Sequence, residues 1–148
     1  YSLDQFQDWF SAFAVLIERP LCYLRHPNLK EALMTVTIYH NPRCSKSRAT
    51  LQLLRDKGIE PTIVEYLQTP PDASTLKEIL GLLNIGARQF MRSKEDAYAA
   101  NGLADDGLDE SQLIAAMVAD PILIERPIVL ANGKAAVGRP PEDVLEIL

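Results

Sequence analysis

Thr35-Val36-Thr37-Ile38-Tyr39-His40-Asn41-Pro42-Arg43-Cys44-Ser45-Lys46-Ser47-Arg48 is the stretch on which the fold turns. Thr35–Tyr39 is a short run of β-branched and aromatic residues, the composition of a strand. A helical pattern starts near Ser47, with Leu51, Leu54 and Ala49 expected on its inner side and Gly58 stopping it at a C′ position. A cysteine, Cys44, therefore sits where a strand ends and a helix begins. The first N–H groups of a helix lack intrahelical partners, and the positive end of its dipole lies there. That field favours the thiolate, the reactive form of cysteine, and Lys46 and Arg48 add positive charge close by. The alternative is a buried structural thiol, against which the polar and basic flanks argue.

Outward from this junction the order is regular. Thr62–Tyr66 reads as a second strand, so strand, helix and strand fall within about thirty residues, the length of a parallel βαβ unit. Thr69-Pro70-Pro71-Asp72 is a loop. A helical block follows over about residues 74–120: Ser74–Asn84, Ala87–Arg92, a short piece at Ala97–Ala100, and Asp109–Ala119 ended by Asp120-Pro121. Ile128–Ala131 and Ala135–Gly138 read as strands joined by Asn132-Gly133, a two-residue hairpin signal. Pro140 and Pro141 open a last helix, Glu142–Leu148. The sum, β-α-β, helical insertion, β-β-α, is an α/β thioredoxin-like order with a mixed four-stranded sheet. Pro127 precedes the third strand, where that fold places a cis proline beside the active cysteine.

The 148 residues suit one domain with a proper core, and the apolar (47%) and charged (24%) fractions are those of a globular chain. A formal charge of −5 excludes nonspecific nucleic-acid binding by bulk charge and makes a local arginine cluster more informative. Cys22 and Cys44 form no disulfide framework, and with His26 and His40 they give no metal-ligand spacing. A working thiol in a reducing cytosol is the simpler reading. The apolar run from Trp9 to Ile17 is too short to span a bilayer, and Asp4 and Asp8 stand where a secretory signal needs basic residues.

Residues 1–33 differ from the rest. Aromatic-rich and carrying Pro20 and Pro27, they read as an N-terminal appendage or non-native extension, with Leu3, Phe6, Phe10, Phe13 and Ile17 spaced for a short amphipathic helix. Met34 is a candidate natural start, and residues 34–148 form the thioredoxin-like domain.

The run Ile38-Tyr39-His40-Asn41-Pro42-Arg43-Cys44 resembles the active-site motif of glutaredoxin-dependent arsenate reductases. Tyr66-Leu67-Gln68-Thr69-Pro70-Pro71, Leu123-Ile124-Glu125-Arg126-Pro127-Ile128-Val129 and Gly138-Arg139-Pro140-Pro141-Glu142 resemble that family's later motifs, and the likeness covers about Thr35 to Leu148. Cys44-Ser45-Lys46-Ser47-Arg48 with Ala131-Asn132-Gly133-Lys134 looks closest to the family's YfgD-like branch. The resemblance implies a catalytic cysteine at Cys44, oxyanion-binding arginines at Arg92, Arg126 and Arg139, and thiolate support from His40 and Ser47. It implies arsenate as substrate, glutathione as co-substrate, glutaredoxin as partner, no bound cofactor or metal, and no nucleic-acid or membrane partner. A cytoplasmic monomer is expected.

The residue types fit that chemistry. Arsenate is a tetrahedral anion, and guanidinium groups offer fixed forks of donors that keep their charge. An imidazolium at His40 would favour the thiolate and relay a proton, or His40 simply hydrogen-bonds near the strand end. Ser47 gives Cys-x-x-Ser in place of a dithiol, or is an ordinary N-cap. Lys46 and Arg48 serve helix-start solvation or partner docking. Cys22 is a passive thiol, so reduction of a Cys44 adduct needs an external one. A phosphatase-like loop is set aside, since it needs five residues between cysteine and arginine and Cys44 and Arg48 have three between them. Well-studied arsenate reductases carry Gly-Thr after the cysteine where this chain has Ser45-Lys46, so another oxyanion or a glutathione-linked substrate is the alternative within the enzyme class. An Spx-like regulator that senses oxidation and binds RNA polymerase shares the fold and a similar motif, but commonly with Cys-x-x-Cys.

Overall fold

The computed structural model describes residues 35–148. The appendage with its amphipathic helix, Cys22, His26 and Met34 lie outside the described residues. Four strands, β1 (Thr37–His40), β2 (Thr62–Glu65), β3 (Ile128–Ala131) and β4 (Lys134–Val137), form one sheet in the order β2-β1-β3-β4. β1 and β2 run parallel; β3 is antiparallel to both β1 and β4. The mixed four-stranded sheet read from the sequence is therefore present, with β3 on its expected bounds and the ends of the other three shifted by a residue or two. The first strand begins at Thr37 and carries on through His40, because Thr37–His40 pair in register with Thr62–Glu65.

Helix α1 (Ser45–Asp56) begins directly after Cys44, earlier than the expected start near Ser47. Its buried stripe is Ser47, Thr50, Leu51 and Leu54, spaced for one helical face; Ala49, expected inward, is exposed because it lies off that stripe. Gly58, at φ +77°, closes the helix: its N–H donates to Arg55 O and the N–H of Ile59 to Leu54 O, the paired bonds of a Schellman motif.

The helical insertion comprises α2 (Ala73–Leu83), α3 (Ala87–Phe90), α4 (Asp96–Ala100) and α5 (Glu110–Ala119). Asp72 caps α2 by accepting from the Thr75 N–H, and Asp109 caps α5 in a reciprocal box with Gln112. Asn84, read as helical, instead takes the left-handed conformation that ends α2. α3 stops at Phe90 and leaves Met91 extended, bridged to Ile124. The hairpin turn places Asn132 at φ 53° and Gly133 at φ 70°, the doubly left-handed geometry that fits the twist of two strands. The last helix is a 3-10 helix over Pro141–Ile147, and a further short one spans Pro121–Leu123.

The sheet separates two cores. On one face Val36, Ile38, Val129 and Ala131 pack with Leu51 and Leu54 of α1 and with Val144 and Ile147. On the other, Tyr39, Tyr66 and Ile128 pack with residues of the insertion, among them Leu76, Ile79, Phe90, Leu113 and Met117. This arrangement fixes α1 behind the sheet and brings the loops carrying Arg126 and Arg139 toward its N-terminus.

Candidate active site

Cys44 is the N-cap of α1, with extended backbone (φ −91°, ψ 122°) and no side-chain capping bond. Its thiol is half-buried and free. Its N–H donates to Asn41 O and its carbonyl accepts from the Arg48 N–H, both at 3.0 Å, so one turn holds the loop and the helix start together. The loop is fixed from both sides. Arg43 N–H donates to Asn41 Oδ1 at 2.9 Å, and Arg48 Nη1 donates to Pro42 O at 2.8 Å. Arg48 is thus a brace for the loop.

Ser47 lies in the first turn of α1 and is fully buried, so the N-cap reading of Ser47 gives way to Cys44. Its Oγ accepts from the Asn41 N–H at 2.9 Å and lies 3.1 Å from His40 Nδ1. His40 is buried as well. Burial pushes its imidazole below the usual histidine range; Arg48 and Arg55 push the same way, while Glu65 and the Ser47 contact pull it back. The balance disfavours the imidazolium, and the ring sits in the hydrogen-bonded floor of the loop.

The three arginines belong to one charge network. Arg139 Nη2 reaches Cys44 Sγ at 3.9 Å. Arg139 Nε donates to Arg126 O at 2.8 Å and pairs with Glu125 Oε1 at 2.9 Å. Glu125 Oε1 also stands 4.0 Å from Arg92 Nε. Glu95 Oε1 contacts Arg92 Nη1 and lies 3.9 Å from Arg126 Nη1. Arg139, Glu125, Arg92, Glu95 and Arg126 thus form a chain of alternating charge, with the Cys44 sulfur at its Arg139 end. The backbone builds it: the Arg126-Pro127 and Arg139-Pro140 bonds are both cis, and the Gly138 N–H donates to Pro127 O at 2.9 Å. Arg92 is drawn in by the Met91–Ile124 bridge and by its own N–H to Leu123 O at 2.9 Å.

Arg92 Nη1, Arg126 Nε and Arg126 Nη1 are buried without a hydrogen-bond partner; Arg92 Nη1 touches Glu95 but not with hydrogen-bond geometry. Unpaired buried donors of this kind cost free energy and call for a ligand. Glu95 and Glu125 escaped the sequence reading because nothing in their spacing marks them; Glu125 stands inside the motif beside Arg126, which was the only available signal. Among the described residues, no three His, Cys, Asp or Glu side chains gather to hold a metal ion, and no helix is long and apolar enough to cross a membrane.

A model of the ArsC family matches residues 39–147. The chain is 60% identical over 114 residues to the uncharacterized protein YfgD of Escherichia coli K12, covering 76% of this chain and 96% of that protein. It is 54% identical over 114 residues to an arsenate reductase of Neisseria meningitidis serogroup B, covering 76% and 97%. Among solved structures, the arsenate reductase from Vibrio cholerae superposes with a TM-score of 0.76 at 52% identity, covering 78% of this chain and 98% of that one.

Proposed function

The chain belongs to the ArsC family, and from that premise we propose that it is an arsenate reductase that converts arsenate to arsenite with glutathione and glutaredoxin. The observation that carries the reading is the Cys44–Arg139 contact at the head of a network in which buried guanidinium N–H groups, ion-paired to Glu95, make no hydrogen bond. A thiol and three guanidinium groups are what a thiolate attack on an anion requires, since positive charge must offset the repulsion between nucleophile and substrate.

Arsenate enters against Arg92, Arg126 and Arg139, displacing the carboxylates that hold them. The Cys44 thiolate attacks arsenic; a sulfur–arsenic bond forms, an arsenic–oxygen bond breaks, and the oxygen leaves as water. Glutathione supplies the second thiol. Arsenic gains two electrons to reach arsenite, and the two sulfurs give them up as they join in a Cys44–glutathione disulfide. Glutaredoxin then clears that disulfide by thiol exchange. Support for an external thiol comes from Ser47, which stands where a Cys-x-x-Cys pair has its second sulfur and is bound to Asn41 and His40. His40 and Ser47 support the thiolate by holding its loop.

The test is a coupled assay on the purified protein with arsenate, glutathione and glutaredoxin. Turnover is expected, lost in Cys44→Ser and strongly reduced in Arg92→Ala, Arg126→Ala and Arg139→Ala. Parent-rate turnover by Cys44→Ser, or unchanged kinetics in all three arginine variants, would refute the assignment. Recovery of RNA polymerase on the protein with no arsenate turnover would put the regulator reading in its place.

A further inference from the structure

Tyr66 directly follows β2, and the parallel register pairs His40 with Glu65, so Tyr66 stands beside Asn41 where the Cys44 loop begins. Its side chain is fully buried in the core that includes Phe90, Met91 and Ile124, the neighbours of Arg92 and Glu125. A tyrosine at such a place normally finds a partner for its hydroxyl. Here the Asn41 side chain stands close enough to act on the Tyr66 hydroxyl, but no group meets it with hydrogen-bond geometry. It is one of four buried side-chain polar atoms without a partner among the described residues, and the other three belong to Arg92 and Arg126. Apart from Tyr66, the unsatisfied donors among the described residues thus belong to two arginines of the proposed anion site, and one of them, Arg92, lies close enough for its charge to act on the Tyr66 hydroxyl.

We propose that the Tyr66 hydroxyl is a further substrate-binding donor of that site, giving a hydrogen bond to an oxygen of the tetrahedral anion held by Arg92 and Arg126. The inference rests on the arsenate reductase reading and names a residue that reading does not use. A phenol suits the task because it adds a donor without adding charge. The proton stays on the oxygen: burial, aided by Cys44 and Glu125, holds the group up at about 12 against the pull of the Asn41 side chain and Arg92. Tyr66 thus donates a hydrogen bond and transfers no proton.

An unpaired buried hydroxyl makes an unusual forecast. Removing it relieves the free protein and harms only the complex. The experiment compares the wild-type chain with Tyr66→Phe in thermal melts with and without arsenate, and in the coupled assay. In anion-free buffer Tyr66→Phe is expected to melt at or above the wild-type temperature. The upward shift on adding arsenate is expected to shrink, and kcat/KM for arsenate to fall about 100-fold, as when one donor of an oxyanion site is removed. A Tyr66→Phe protein with wild-type kcat/KM and a wild-type arsenate shift overturns the proposal; so does one destabilised without anion, which marks the hydroxyl as structural. If the wild type is stabilised by arsenate yet does not reduce it, the reductase reading fails alone, and the two melt shifts still decide the role of Tyr66. If arsenate does not stabilise the wild type, both fail.

Discussion

Replacing Ser47 by alanine removes one oxygen from a place with no access to water. Ser47 is fully buried, and its Oγ serves both the Asn41 N–H and His40 Nδ1. Stranding a buried polar group costs about 1–3 kcal/mol. The Asn41 N–H is held in the turn and has no other partner to reach, so its cost stands in full. The imidazole recovers part of its share by exchanging protons between its ring nitrogens. Alanine returns about 0.5 kcal/mol of helix propensity. The net loss is about 2 kcal/mol, which for a domain of this size lowers Tm by about 8 °C. Urea denaturation of the full chain followed by far-ultraviolet circular dichroism measures it, with the midpoint falling and the slope unchanged. Ser45→Ala is the control, since Ser45 is exposed in the same helical turn and its replacement should change little. A Ser47→Ala protein within about 0.5 kcal/mol of wild type would refute the claim that this oxygen organises the loop.

Gly138→Ala should destabilise by about 1–3 kcal/mol, because a Cβ there would fall inside contact distance of Thr50 Oγ1 and 2.8 Å from Pro127 Cγ; adding Thr50→Ala should recover part of the loss in the same denaturation experiment. Glu95→Gln should lower KM for arsenate about two- to five-fold, since the carboxylate that Arg92 and Arg126 share competes with the incoming anion; a raised KM would show that Glu95 positions the arginines instead. His40 is held below its ordinary value of 6.5 by burial, so the unfolded chain takes up this proton before the native one does. The stability this group contributes is present above about pH 6.5 and lost as pH falls through the depressed native value; the difference between wild type and His40→Asn should shrink over that window, and a difference that grows on acidification would contradict the sign.

Much of the fold was legible because its signals are local. Asn132-Gly133 dictates a hairpin whatever surrounds it, and Gly58 ends α1 as a left-handed residue must. Strand limits depended on partners: β1 runs through His40 because Glu65 lies opposite, which no local pattern announces. Ala49 was misplaced for a related reason. Thr50 and Ser47, polar by composition, take the inner face because their hydroxyls find carbonyl, amide and imidazole partners there. At the site, the residue types of Cys44 and the three arginines could be read along the chain. The carboxylates between those arginines could not, since Glu95 and Glu125 acquire meaning only when two cis prolines and the Met91–Ile124 bridge bring distant loops together. The burial of His40, which lowers its pKa, was hidden for the same reason, because it follows from elements far away in sequence.

The alternating network also bears on how fast an anion arrives. Three guanidinium groups face two carboxylates, so most of the arginines' charge is offset within the network, and the whole chain carries −5. Such a site projects only a weak attractive field, and the net negative charge of the chain opposes it. Long-range steering, which speeds association at low ionic strength, is therefore weak here. Capture takes place by exchange at contact, with the oxyanion trading places with Glu95. Moderate salt should leave the association rate level or raise it slightly as the outer repulsion is screened. A site built with the same arginines but without their carboxylates would collect every passing phosphate and sulfate. This one admits an anion only when it can displace a carboxylate already in place.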